Sequence, residues 1–271
     1  HQTKKWNPKM AKYIFGQKKG IYILDLQKTA EAIKTSSAFL SDVVKKGETV
    51  LFVGTKKQAQ DVIKEEALRC GVFYVNERWL GGMLTNFSTI RKSINRIKEL
   101  KRMKDEGIFN SLSKKEVASL EKEMSKFEKN LGGILDMETP PMAIFVIDPK
   151  KEELAVNEAN KLGISVVALI DTNCDPEKIT YPIPGNDDAI RAIRLITSIM
   201  ADSVLEGKRM QESIIRKESA KAMEAVEGEE IISDVEIEEK IVEGIIKKDL
   251  LTEDEKKIKR KKKIVKVKKE G

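Results

Sequence analysis

The chain has one histidine and two cysteines in 271 residues, and these shortages exclude whole classes of chemistry. The histidine is His1, so neither a histidine-based triad nor a multi-histidine metal site can be assembled. Cys70 and Cys174 are too few for a disulfide framework in a chain of this size and read as packed, reduced thiols without an evident base. No apolar run approaches the ~20 residues of a membrane span, and no signal-peptide pattern opens the chain, so a soluble cytoplasmic protein without a membrane partner is expected. Acidic residues are missing altogether before Asp25. Carboxylates are plentiful further on, but nothing in their spacing sets a pair around a small-molecule substrate. No cofactor motif is complete: there is no G-x-G-x-x-G, and Gly54-Thr-Lys-Lys57 lacks the second glycine of a Walker loop.

What is present is a globular composition, 40% hydrophobic, with an uneven charge pattern behind a net +7. Residues 1–223 are modestly basic, residues 224–243 strongly acidic, and the last stretch strongly basic: from Lys256 to Lys269 ten of fourteen residues are Lys or Arg. A basic body suggests a polyanionic partner. Charged blocks of this kind bury too little apolar surface to offset ordering entropy, so residues 208–271 are expected to form a tail, mostly disordered beyond about residue 225.

Apolar runs of about five residues (Ile21–Leu24, Thr49–Val53, Val72–Val75, Ala143–Ile147, Ser165–Ile170) alternate with amphipathic segments. The latter are expected as helices over about 27–45, up to Arg69, Glu152–Leu162 with Gly163 as the stop, and about Asp187–Glu206. This predicts an α/β fold, a doubly wound parallel sheet of Rossmann or flavodoxin type. Ser88–Leu131 breaks the alternation. Val117, Leu120, Met124, Phe127 and Leu131 form a coiled-coil seam, Ile90, Ile94 and Ile97 a matching stripe, and Gly107–Ser113 a turn. An antiparallel helical coiled-coil hairpin over 88–131 is therefore predicted as an insertion in a discontinuous domain, 1–87 and 132–207.

Candidate functional residues cluster in four places. In the N-terminal arm Lys4, Lys5, Lys9, Lys12, Lys18 and Lys19 are interleaved with Trp6, Tyr13 and Phe15, with Asn7 between them; ammonium groups neutralise phosphates and rings stack on bases. In Asn76-Glu-Arg-Trp-Leu-Gly-Gly-Met-Leu-Thr-Asn-Phe87, the cation Arg78, the ring Trp79, the glycine pair and the amide Asn86 suit close approach to a folded nucleic acid. Ser88–Lys104 carries seven cations, Arg91, Lys92 and Arg96 among them, against Glu99 alone. Against this stands the bland reading that a charged helix face is merely solvated. Gly54-Thr-Lys-Lys57 sits at a strand-to-helix turn, where helix N-terminal amides favour a phosphate that Lys56 and Lys57 could clamp. Asp171-Thr-Asn-Cys-Asp175 opens like a calcium loop, but Pro176 and Pro182 stand where a glycine and a glutamate are needed, so no metal is expected. Asp148, Asp171 and Asn173 fall at strand C-terminal ends, where α/β enzymes place ligands; they can equally cap the segments that follow, as Asn186 or Asp187 can for the last helix.

Five words in one order (His1-Gln-Thr-Lys-Lys-Trp-Asn-Pro-Lys-Met10, Phe52-Val-Gly-Thr-Lys-Lys57 and Phe145-Val-Ile-Asp148, then Asp171-Thr-Asn173 and Ile183-Pro-Gly-Asn-Asp-Asp-Ala-Ile-Arg191) make residues 1–207 resemble the second protein of the small ribosomal subunit, bacterial type. Family members usually carry a short stretch before the first word, so this chain, with no starting Met, reads as a trimmed form. The resemblance implies the same helical arm, no enzymatic activity, and a structural role binding 16S-type rRNA. It also implies a position bridging head and body of the subunit, beside other small-subunit proteins including the largest one, which recruits messenger RNA. Two readings from the residues alone stay open beside it: a nucleotide-binding enzyme using the cleft around Gly54, Asp148 and Asp171, and a protein-interaction module working through the helical arm. Deleting residues 225–271 is expected to leave a single cooperative thermal transition, measured by circular dichroism.

Overall fold

A computed structural model describes residues 3–227. The Lys-rich end, and nearly all of the stretch expected to be disordered, lie outside the described residues. Residues 1–214 form one compact unit. Its centre is a five-stranded parallel sheet built from β3 (Val50–Val53), β4 (Phe73–Val75), β5 (Ala143–Ile147), β6 (Ser165–Ile170) and β7 (Tyr181–Pro184), in the order β4-β3-β5-β6-β7. Counted within the sheet this is 2-1-3-4-5, the flavodoxin-like order, so the predicted class holds.

The strands are continuous apolar runs because both faces of the sheet are covered. Side chains alternate between them. Leu51, Val53, Ile144, Val146, Val166, Ala168 and Ile170 join one core, with Ala155, Val156 and Ala159 of α5 (Glu153–Leu162). Val50, Phe52, Ala143, Phe145, Ile147, Val167 and Leu169 join the other, under α1 (Leu26–Lys45), α2 (Lys57–Cys70) and the first part of α6 (Ile190–Glu227). Every residue of β5 is buried.

Three sequence expectations are corrected. Ile21–Leu24 (β2) is not a strand of the main sheet; it pairs antiparallel with β1 (Ile14–Lys18) in a separate hairpin. A strand unforeseen in the sequence, β7, carries Pro182 and Pro184, which are tolerated because β7 is an edge whose only sheet neighbour is β6. The last helix runs on to Glu227, so the first part of the expected tail is helical. Asn186, not Asp187, caps its approach, its Oδ1 accepting from the backbone N–H of Asp188 (2.8 Å) and Ala189 (3.1 Å).

Residues 88–131 form the expected pair of helices, α3 (Phe87–Asp105) and α4 (Lys114–Leu131), joined through a short 3-10 turn at Ile108–Ser111. Lys104 pairs with Glu121 and Lys101 with Glu128, so the helices run antiparallel. Ile90, Ile94, Ile97 and Leu100 are buried along α3, whereas on α4 Leu131 is fully buried and Val117, Leu120, Met124 and Phe127 are half-buried. At its base the seam joins the sheet core through Ile90, Ile94, Ile97 and Leu131. Ser113 and Glu116 cap α4 reciprocally, the carboxylate accepting from the Ser113 backbone N–H at 3.0 Å. No described helix is long and apolar enough to cross a membrane.

Thr197 of α6 is 0% exposed, and its hydroxyl has no hydrogen-bond partner among the described residues. Burying an unpaired hydroxyl costs free energy. Thr197→Val, which keeps the shape and removes the donor, is expected to stabilise the protein by about 1 kcal/mol, read as a rise in thermal midpoint of about 2–4 °C by calorimetry.

Candidate nucleic-acid interface

The N-terminal arm is anchored rather than loose. Two short 3-10 helices, Thr3–Lys5 and Pro8–Tyr13, flank Asn7, whose backbone N–H donates to Thr172 O at 2.8 Å and whose Oδ1 accepts from the Lys9 N–H at 3.0 Å. Met10 is fully buried in the core on the α5 face of the sheet. Trp6 is half-buried, its ring tilted against Tyr22 of the hairpin at 5.0 Å. Lys4, Lys5 and Lys12 are exposed. Lys9 instead binds Asp175 (3.0 Å) and Glu177, and these contacts raise its pKa. It fastens the arm to the loop after β6 and offers phosphates less than its neighbours do.

The loop after β4 enters the same core through Trp79, Met83 and Leu84. Trp79 is 6% exposed, and its indole N–H donates to Glu158 of α5 at 3.1 Å. The expectation that this ring stacks on a base is therefore corrected: its faces are packed among apolar side chains, and it holds the loop down. Glu158 also accepts from the backbone N–H of Gly82 (2.8 Å), Leu84 (3.0 Å) and Thr85 (3.0 Å), and from the Thr85 hydroxyl (3.0 Å). Burial alone raises a carboxyl pKa, but these bonds outweigh it and hold Glu158 below the usual range. Arg78 and Asn86 remain exposed; Asn86 precedes α3, and its side-chain oxygen accepts from the Thr89 hydroxyl at 2.9 Å.

Five of the seven cations of α3 are answered by acids, two of these within one turn (Glu99, Glu106) and four that sequence proximity did not reveal (Glu121, Glu123, Glu128, Asp136). Arg96 meets Glu99 (2.8 Å) and Glu123 (3.5 Å), Lys98 meets Asp136 (3.1 Å), Lys101 meets Glu128 (2.7 Å), Arg102 meets Glu106 (3.6 Å) and Lys104 meets Glu121 (3.0 Å). The signal was in the sequence: Glu121, Glu123 and Glu128 sit on the second helix of a hairpin already expected to be antiparallel. Arg91 and Lys92, on the first turns of α3, are exposed; Arg91 donates to Glu138 O at 3.2 Å, and Lys92 makes no ion pair among the described residues.

At the strand ends the expected phosphate clamp is corrected more sharply. The Lys56 side chain is 12% exposed, and its ammonium binds Asp148 (3.2 Å), Asp187 (2.9 Å) and Asp188 (2.5 Å). The anion expected at the start of α2 comes from the chain itself: Glu152 accepts from the Thr55 backbone N–H (2.9 Å) and hydroxyl (2.5 Å). Gly54 reflects tight packing, since a Cβ there would lie 2.9 Å from Ile63 Cγ1. Lys57 points outward and is exposed. The cluster lies between β3 and β5, where the strand order reverses and doubly wound sheets receive ligands. Ligating atoms of Asp148, Cys174 and Asp187, and of Asp171, Asp187 and Asp188, lie within 4.8 Å of one another, so this is where a cation could be held; here the opposing charge is Lys56. Both thiols are buried, which pushes Cys70 up to about 11 and Cys174 up to about 12, the behaviour of packed rather than reactive cysteines.

The comparisons with known proteins decide what these surfaces belong to. The family model described as "Ribosomal protein S2" matches residues 1–207. The chain belongs to that family. It is 56% identical over 234 residues, 86% of this chain and 91% of the relative, to a protein of Geotalea uraniireducens (strain Rf4) named "Small ribosomal subunit protein uS2". Membership makes the chain a structural constituent of the small ribosomal subunit, acting in translation in the cytoplasm, and not an enzyme. Binding of rRNA follows from that role. Strand ends filled by Lys56 and the five carboxyl groups around it suit a scaffold whose work lies on its rim.

The two sides of the Lys56 cluster respond differently to their shared burial. Desolvation lowers the Lys56 pKa, but hydrogen bonds to Asp188 and Asp187 outweigh it and hold the ammonium well above the usual lysine range. One cation cannot neutralise three carboxylates, and burial followed by the Asp148 charge raises Asp187 from 3.8 to about 6. A carboxyl whose folded pKa exceeds its unfolded value keeps its proton longer when folded, so its unfavourable contribution grows as pH rises from about 3.8 to 6 and is complete above. Lys56→Met, which strands the buried carboxylates, is expected to destabilise by about 3–5 kcal/mol at neutral pH. Without the ammonium Asp187 holds its proton to higher pH than in the parent, so in urea melts that loss should shrink as the pH is lowered from neutral toward 6, the folded pKa of Asp187 with Lys56 in place.

Proposed function

We propose that the protein docks on small-subunit rRNA through two anchored basic segments on one face of its sheet: Lys4, Lys5 and Lys12 of the arm, and Arg78, Asn86, Arg91 and Lys92 at the root of the hairpin. The observation that carries this reading is shared anchorage. Met10 from the arm and Trp79, Met83, Leu84 and Ile90 from the loop and α3 sit in one hydrophobic core, while the cations beside them stay exposed. Rigid presentation lowers the ordering entropy lost when phosphates are bound. Asn7 and Lys9 serve as arm fasteners, Trp6 packs its exposed edge on ribose or base, and Lys57 adds a separate phosphate contact beyond the strand ends. Lys56, Trp79 and Arg96 act from behind the contact, by holding the residues around it.

By family resemblance the docked protein bridges head and body of the subunit and helps to seat its largest protein. Apolar exposure supports a protein neighbour beside the RNA: Phe15 (78%) and Ile21 (54%) of the β1-β2 hairpin and Leu26 (77%) at the start of α1 are exposed.

Arg91→Ala with Lys92→Ala is expected to lower association with small subunits stripped of this protein. The log-log salt dependence should flatten by about 1 to 2 units, scaled from about 0.9 per phosphate on duplex DNA. Co-sedimentation at graded salt measures both; slopes equal to the parent's remove these two residues from the footprint.

A further inference from the structure

We propose that Glu158 is the positioning residue of the interface: its carboxylate acts as the built-in anion of an amide nest and sets the loop from which Arg78, Asn86 and the basic start of α3 project. The proposal rests on the rRNA-docking reading above and names the group that controls the geometry of that site.

Residues 79–85 need partners for backbone amides that no ladder takes up. The backbone N–H groups of Gly82, Leu84 and Thr85 all turn inward to one point instead of to a strand or helix ladder. Convergent amides form a concavity suited to an anion, and left unmatched they would be costly. Gly82 makes the convergence possible with φ 83°, a conformation that a side chain rarely adopts. Oε1 of Glu158 takes the Trp79 indole and Gly82 donors; Oε2 takes both Thr85 donors and the Leu84 amide. Five donors saturate an ionised carboxylate, which offers about four lone-pair directions and no hydrogen of its own. A carboxamide of equal size cannot substitute, because its NH2 would face two or three donors.

Glu158 is itself held by the α5 turn that buries Val156 and Ala159 in the sheet core. The chain of contacts therefore runs from the sheet through α5 and the carboxylate to the loop, and through Asn86 into α3. Nothing in that chain requires Glu158 to touch RNA. Its contribution is to fix where the cations stand, and the loss expected on its removal comes from ordering a loop at the moment of binding.

Three measurements on the full chain test this. Glu158→Gln should accelerate amide hydrogen exchange at residues 82, 84 and 85 by about tenfold or more and reduce uptake by stripped small subunits by a similar factor. Glu158→Asp, which keeps the charge but is one methylene shorter, should fall between, and serves if the Gln variant folds poorly. In Glu158→Ala, added formate should restore part of the uptake relative to chloride at equal ionic strength, as an anion returned to the nest would and a general loss of packing would not. Unchanged exchange in the Gln variant, or formate without effect beyond chloride, overturns the proposal. So does faster exchange with uptake within twofold of the parent; it overturns this proposal alone if Arg91→Ala with Lys92→Ala still loses uptake. If that pair also leaves uptake intact, the docking reading fails with it.

Discussion

Burial of the parallel sheet on both faces is the constraint from which the rest of the molecule follows. β5 lies at the centre with all five residues covered, and its neighbours send alternate side chains into two separate cores. A sheet made this way must have helices above and below it, so its faces are closed to partners. Partners can be met only at strand ends, at edges and on inserted segments. No Lys or Arg lies within the strands of this sheet.

Of these positions, the strand ends are where a doubly wound fold usually takes a small ligand. This chain fills that crevice with its own charges. Lys56 reaches Asp148, Asp187 and Asp188, Glu152 satisfies the turn before α2, and the Lys151 ammonium donates to Thr55 O at 3.0 Å. The resulting network ties the ends of β3 and β5 to the loop before α6. Such networks rigidify a fold, and within this one burial, followed by the charge of Asp148, raises the Asp187 pKa. The crevice of the fold has become a structural joint.

Charge on the helical hairpin follows the same logic. Most cations of α3 face acids of α4 or of the segment after it, and so bind the two helices together as much as they could bind RNA. Exposed pairs of this kind contribute little individually, with a median of about 0–1 kcal/mol, but they select the antiparallel pairing and leave net positive charge at the hairpin root. There Arg91 and Lys92 are exposed, as are Arg78 and Asn86 on the loop before α3. At that root Ile90, Ile94, Ile97 and Leu131 join the core on the α5 face of the sheet, so the cations closest to the body stand on an anchored part of the hairpin.

Much of this was legible in the residues. Continuous apolar runs declared buried parallel strands, the 3-4 spacing of Val117 to Leu131 declared the hairpin, and the five words in order declared the family. The β7 strand was hidden by Pro182 and Pro184, because single-chain propensity cannot know that a run will lie on an edge. The roles of Lys56 and Trp79 were misread for a related reason: a lysine or tryptophan beside glycines looks the same whether it faces a phosphate or a carboxylate 79 or 131 positions later in the chain. Sequence alone determined four of the five strands of the main sheet, which segment is the arm, and that no histidine-based or disulfide chemistry is available, since periodicity and composition are local properties. Tertiary structure decided which cations stay exposed and which are internal fasteners, because that depends on which acids the fold brings within 4 Å, and charge pairing between segments distant in the chain has no local signature.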